Sequence, residues 1–281
     1  MPDSTAPVRA APDTIARTAP APVPIPTGAA AGAAARDPRA DATFAAGLEV
    51  LEAGRVDSAL ALFTTAIHLA PSDERAYRAL VRVHDRDGSY WEAARTLELL
   101  ALRFPDEAAP HAYLGEVELL RGRQETALIE FDKALRIDPH HPLSLAGVAR
   151  CRAALGDSEA SLAYFDKLLR ARPHDPGYRY GRAVALGLAG ETKAAATQFK
   201  WAIRLAPRSW LAERDYARLL SAAGERLDLA IRHYERAVEL LGMARDPATA
   251  SEVETELAAV RARHDAPLGS NDAPPGSDDA P

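Results

Sequence analysis

His140 and His141 stand side by side after Pro139, Cys151 follows, and Arg75, Arg78 and Arg82 are spaced i, i+3 and i+7. These residue types and spacings could do chemistry. Paired histidines can ligate a transition metal, but a zinc site needs three or four protein ligands. No third ligand stands at a readable distance from this pair, and His174 repeats the position of His140 34 residues later. That reads as a recurring turn residue. A lone cysteine excludes an internal disulfide and a Cys-based zinc cage, and Cys151 lies in a helical pattern where a small buried apolar residue is the expected reading. The chain contains no GxxxxGK[ST], HExxH, GxSxG or CxxC, so the short motifs of phosphate, metalloprotease, hydrolase and thiol-redox chemistry are missing. The expectation is a protein that is not an enzyme and takes no cofactor or metal. The arginines are another matter. On a helix they share one stripe, and a guanidinium fork suits a carboxylate.

The elements that must position them follow a fixed period. Gly54, Gly88, Gly122, Gly156, Gly190 and Gly224 are each 34 residues from the next, and so are Pro71, Pro105, Pro139, Pro173 and Pro207. A constant period in this range marks an array of stacked supersecondary units. Within residues 108–141, Tyr113, Leu114, Val117 and Leu120 follow helical spacing; Gly122 permits a tight turn; Ala127, Phe131, Ala134 and Leu135 define a second helical face; and Pro139 ends it. Each unit is therefore helix, turn, helix, breaker. Small Ala127 and Ala134 suit close helix approach, and Phe131 suits the space between units. Asp37–Pro38 and Asp246–Pro247 each offer an N-cap acid with a first-turn proline. The second predicts a last amphipathic helix over 248–263, with Val253, Leu257 and Val260 on one side to cover the open end of the array.

The slots Gly47, Gly54, Ala59, Phe63, Ala66, Pro71, repeated as Gly115, Gly122, Ala127, Phe131, Ala134, Pro139 and as Ala183, Gly190, Ala195, Phe199, Ala202, Pro207, resemble the pattern of a tetratricopeptide repeat (TPR) protein. The resemblance implies an all-α, right-handed solenoid with units at 40–73, 74–107, 108–141, 142–175, 176–209 and 210–244 and a capping helix. The solenoid then fills 37–264. It also implies that the first helix of each unit lines a concave groove. The residues carried over onto that groove are Arg75, Arg78, Arg82, Arg86, Glu116, Arg150, Tyr180, Arg214 and Arg218, accompanied by Asp41, Glu52 and Asp85. The implied function is a scaffold or adaptor that holds a protein segment bearing carboxylates. The alternatives are an assembly or secretion chaperone and an accessory subunit of an enzyme carried on other chains. The Lys/Asn carboxylate clamp of one TPR subset is not reproduced, since Phe44 and Leu48 stand in two of its slots.

Composition agrees. Hydrophobic residues make up 47% of the chain but aromatics only 6%, so the apolar weight is Ala and Leu, which suits helices. A net charge of -6 gives no general attraction to polyanions, and nucleic acid is not expected as a partner. Residues 1–36, rich in Ala and Pro, and 265–281, with four Asp and no base, have too few large apolar residues to order and read as tails. No run of 18 apolar residues is present, so membrane insertion is not expected. The opening residues lack a charged-then-apolar leader, and a cytoplasmic location is the expectation. Trp91, one residue after a packing Tyr90, points to the convex side. It is read as a partly buried contact between units, with a partner anchor as the alternative.

Overall fold

Proline and glycine set the ends of the helices. The computed structural model describes residues 37–266 apart from 225 and 245, and leaves out the side chains of Arg86 and Asp87. Residues 1–36 and most of 265–281, read from the sequence as tails, lie outside the described residues. The described residues form thirteen helices: α1 Pro38–Glu52, α2 Val56–Leu69, α3 Glu74–Asp87, α4 Tyr90–Arg103, α5 Ala108–Leu120, α6 Gln124–Ile137, α7 Pro142–Ala154, α8 Ser158–Ala171, α9 Pro176–Leu188, α10 Thr192–Leu205, α11 Trp210–Ala223, α12 Leu227–Ala244 and α13 Pro247–Asp265. The residue before each breaker proline closes a second helix by leaving the helical region, as at Ala70 (φ -143°, ψ 80°) and Phe104 (φ -128°, ψ 67°). Proline forces that geometry on its predecessor. Gly122, between α5 and α6, has φ 72°, a left-handed conformation that a Cβ would disfavour. Aspartate starts several helices: Asp37 accepts from Arg39 N at 2.8 Å, and Asp175 from Tyr178 N at 3.1 Å with Pro176 at the first position.

The chain divides into two compact units, up to Pro207 and from Arg208 onward. In the first, α1–α10 form helix hairpins, each packed on the next. Successive first helices also touch, α3 on α5, α5 on α7 and α7 on α9, while successive second helices do not approach to a comparable extent. The first helices therefore lie on the inner side of the bend. The aromatic slot is the packing key. Phe131 on α6 is fully buried, wedged between Gly115 of its own hairpin and Gly147 of the next. A Cβ on Gly115 would lie 2.8 Å from the ring, and one on Gly147 only 2.2 Å from its tip. Gly181 stands in the same relation to Phe165, at 2.4 Å. In the second unit, α13 buries Val253, Leu257 and Val260 against α12, and Arg263 donates to the Ser221 hydroxyl and carbonyl at 3.1 and 3.2 Å.

One sequence expectation changes. Trp91 is 64% exposed, more open than a partly buried residue, although it still touches the next hairpin. It sits on the outer face of α4, where the Arg121 guanidinium lies 5.1 Å from its ring.

Gly147→Ala tests the wedge. Helix propensity alone would favour alanine by about 1 kcal/mol, yet the added methyl has no room. We expect a net loss of about 1–3 kcal/mol, read as a lower thermal midpoint, with recovery when Phe131→Leu is added. A rise in the midpoint for the single variant would contradict the packing.

Candidate functional site

Most of the arginines singled out by their slots stand on first helices of the first unit, and their settings differ. Arg75 on α3 lies between two acids. Its Nε donates to Asp73 at 2.9 Å, and its Nη2 meets Asp41 of α1, one period earlier. Its guanidinium also lies 5.2 Å from the Phe44 ring. Its hydrogen bonds to Asp73, then Asp41, outweigh partial burial and hold its pKa above the ordinary arginine value. Arg150 on α7 pairs with Glu116 on α5, again one period apart. Nη1 donates to Oε1 at 3.1 Å, and Nη2 meets Oε2. Burial alone would lower the Arg150 pKa, but the charge and hydrogen bonds of Glu116 reverse the sign, so the guanidinium is held charged. Glu116 is buried. These two pairs are rungs between equivalent positions of adjacent hairpins.

The other arginines differ. Arg82 is exposed and has no ion-pair partner among the described residues. Arg78 is half-buried, with Glu74 at 3.9 Å, and its Nε is buried without a hydrogen-bond partner. The side chain of Arg86 lies outside the described residues. Tyr180 on α9 is buried, edge-on to Phe199 with centroids 6.0 Å apart. Arg214 and Arg218 belong to the second unit. Arg214 is buried beside Trp210, its Nε 3.0 Å from Asp215; Arg218 lies 3.3 Å from Glu256 on α13.

Sequence reasoning missed a second polar group on the first helices. Glu74, the first residue of α3, accepts from the Tyr113 hydroxyl of α5 at 3.1 Å and faces His141 Nε2 of α7 at 3.4 Å. His141 is the buried N-cap of α7, and its Nδ1 accepts from Ser144 N at 3.3 Å. A ring nitrogen that accepts carries no hydrogen, so in the neutral ring the proton sits on Nε2, toward Glu74. The link skips a hairpin, because it joins the second to the fourth. Burial pushes the Glu74 carboxyl up, but hydrogen bonds from His141 and Tyr113 and the charge of Arg78 leave it below the ordinary carboxylate range. Tyr113 is buried and stacked on Tyr77, centroids 5.6 Å apart. The hydroxyls of Tyr77 and Tyr178 are buried with no hydrogen-bond partner. Burial, then Asp175 and Glu74, raise the Tyr178 phenol to about 12.

The residues with intrinsic reactivity are not assembled. His140 is exposed while His141 is buried, so the pair does not converge. Cys151 is fully buried, and burial pushes its thiol up to about 12. Among the described residues no group of three or more His, Cys, Asp or Glu could hold a metal ion, and no helix is long and apolar enough to cross a membrane.

Two measurements probe the rungs and the skipping link. Arg150→Met strands a buried carboxylate and should cost about 3–5 kcal/mol in urea unfolding; adding Glu116→Leu should restore most of it, since an apolar pair of similar volume replaces an ion pair nearly neutrally. For Glu74, the folded carboxyl lies below its unfolded value. Its stabilisation is complete above the ordinary range near about 4.3 and disappears as pH falls through the lower folded value. The stability gap between wild type and Glu74→Gln should therefore be widest at neutral pH and close in acid. A gap independent of pH would refute the role of the charge.

Two family models described as tetratricopeptide repeat match residues 50–116 and 149–196. The Hsp70-Hsp90 organizing protein of Triticum aestivum is 32% identical over 119 residues, 41% of this chain; the chain spans only 20% of the length of that curated relative. A tetratricopeptide repeat protein from Parabacteroides merdae superposes with a TM-score of 0.54 at 16% identity, covering 80% of this chain and 94% of that one. A thermophilic TPR protein of Thermus thermophilus does so with 0.52 at 23%, covering 64% and 98%. At such identities these two structures speak to the fold. The two family-model matches, set in the 34-residue register of glycine and proline, identify tetratricopeptide repeats in this chain, and the solved structures agree with its fold, an all-α solenoid of paired helices.

Proposed function

We propose that the chain is a non-catalytic, cytoplasmic adaptor that holds a carboxylate-bearing segment of a partner protein on the inner face of its first helices. The carrying observation is the asymmetry among the arginines. Arg75 and Arg150 have their charge taken up by Asp41 and Glu116, whereas Arg82 is exposed and unpaired among the described residues, with Arg78 one turn before it on the same stripe. A guanidinium kept free on an inward-facing helix is available to a ligand; one locked in a rung is not. In this reading Arg82 and Arg78 contact the partner directly, and the rungs keep the helices that carry them in register. By the same criterion Arg214, buried and paired with Asp215, and Arg218, paired with Asp215 and Glu256, are held as the rungs are. The wheat relative, an Hsp70-Hsp90 organizing protein by name, supports an organising role of this general kind.

The test uses the full chain and fluorescence polarisation with a set of acidic and neutral peptides. Acidic peptides should bind preferentially, with affinity falling as salt rises. Arg82→Glu should weaken them about tenfold, the equivalent of 1.4 kcal/mol, without lowering the thermal midpoint. Arg75→Glu should lower the midpoint as well. No preference for acidic peptides, or Arg82→Glu without effect, would remove the inner arginine stripe from the binding site.

A further inference from the structure

The outer face of α4 carries a pattern unrelated to the inner surface. The helix buries Ala93, Ala94, Leu97, Leu100 and Ala101 and turns Trp91, Arg95, Glu98 and Leu102 outward. Their spacing is 4, 3, 4. At 100° per residue these four lie within about 60° of one another and form a straight lane roughly 16 Å long. The lane is unusually apolar at its ends. Trp91 is 64% exposed and Leu102 80%, with Leu99 on the flank at 60%. Its middle is charged and unspent. Neither Arg95 nor Glu98 has an ion-pair partner among the described residues, although an i, i+3 pair of the same order closes elsewhere, Arg236–Glu239 at 2.5 Å.

Read forward, the lane is Trp, Arg, Glu, Leu; read backward, it is Leu, Glu, Arg, Trp. Two copies laid antiparallel across a two-fold axis between positions 96 and 97 place each Trp91 opposite the other copy's Leu102 and each Arg95 opposite the other copy's Glu98. Every apolar group then meets an apolar group, and every charge meets its opposite. A parallel arrangement would set Arg95 on Arg95 and Glu98 on Glu98. A two-fold interface must be complementary to itself, and this one is, in both polarity and charge.

We propose that the chain self-associates through an antiparallel α4–α4 contact. The occupant of this face is a second copy of the same chain. One helix pair lies at the small end of specific interfaces, so the dimer forms with a dissociation constant in the micromolar range. Because the lane lies on the side of α4 away from the residues that it packs inward, pairing leaves both inner faces open. The assembly offers two binding surfaces, and a partner with two cognate segments gains by effective concentration.

Sedimentation velocity of the full chain over a series of concentrations from about 1 to about 200 µM tests this. The wild type should shift from monomer to dimer across the series. Leu102→Glu should stay monomeric. Arg95→Glu alone should also stay monomeric, because acids then face acids, and so should Glu98→Arg, where bases face bases. The double variant Arg95→Glu/Glu98→Arg restores the complementarity and should dimerise like the wild type. All four positions are exposed, and circular dichroism confirms that each variant remains helical. A wild type that stays monomeric throughout overturns the proposal, as does a double variant no better than either single one. A monomer whose Trp91 fluorescence shifts when residues 1–36 are deleted would also overturn it, and would assign the face to the chain's own N-terminal segment.

Discussion

Phe131 occupies a slot that exists only because Gly115 and Gly147 lack side chains. The ring belongs to a second helix, while the two glycines belong to the first helices of its own hairpin and of the next. One side chain therefore fixes three helix axes at once, and Phe165 with Gly181 repeats part of the device a hairpin later. Close approach of these helices brings successive first helices into contact on the inner side of the bend. The Arg75–Asp41 and Arg150–Glu116 rungs, the Glu74–His141 link and the placement of Arg82 are all downstream of that spacing.

Much of the architecture was legible because its determinants act through the backbone at fixed intervals. A proline dictates the conformation of its predecessor, and the helices end at Ala70, Phe104 and Asp138 accordingly. A turn glycine needs only its own φ, as at Gly122. Neither depends on distant residues, so a 34-residue count along the sequence is enough to find them.

The site was less legible, for a different reason. Slot position told which arginines stand on first helices, but not which would still be available. A signal was there to be used: Asp41 and Arg75 share a slot one period apart, as do Glu116 and Arg150, and opposite charges in one slot of adjacent repeats meet as the helices stack. The Glu74–His141–Tyr113 group left no such trace. Its members come from three hairpins and occupy different slots, so their meeting depends on curvature, which no local pattern encodes. The outward direction of Trp91 was legible from its place beside a packing Tyr90, but its 64% exposure was not, because that depends on how the next hairpin lies against it.

The contact between His141 and Glu74 bears on how such an array comes apart. A stack in which every hairpin touches only its neighbours unravels from the ends, one hairpin at a time, and each opening is independent of hairpins farther along. A link that bypasses the third hairpin ties the second to the fourth, so neither loosens without straining the other. Unravelling in this stretch should then proceed as one larger cooperative block, with amide hydrogens of α3 and α7 exchanging on a common timescale instead of a graded one.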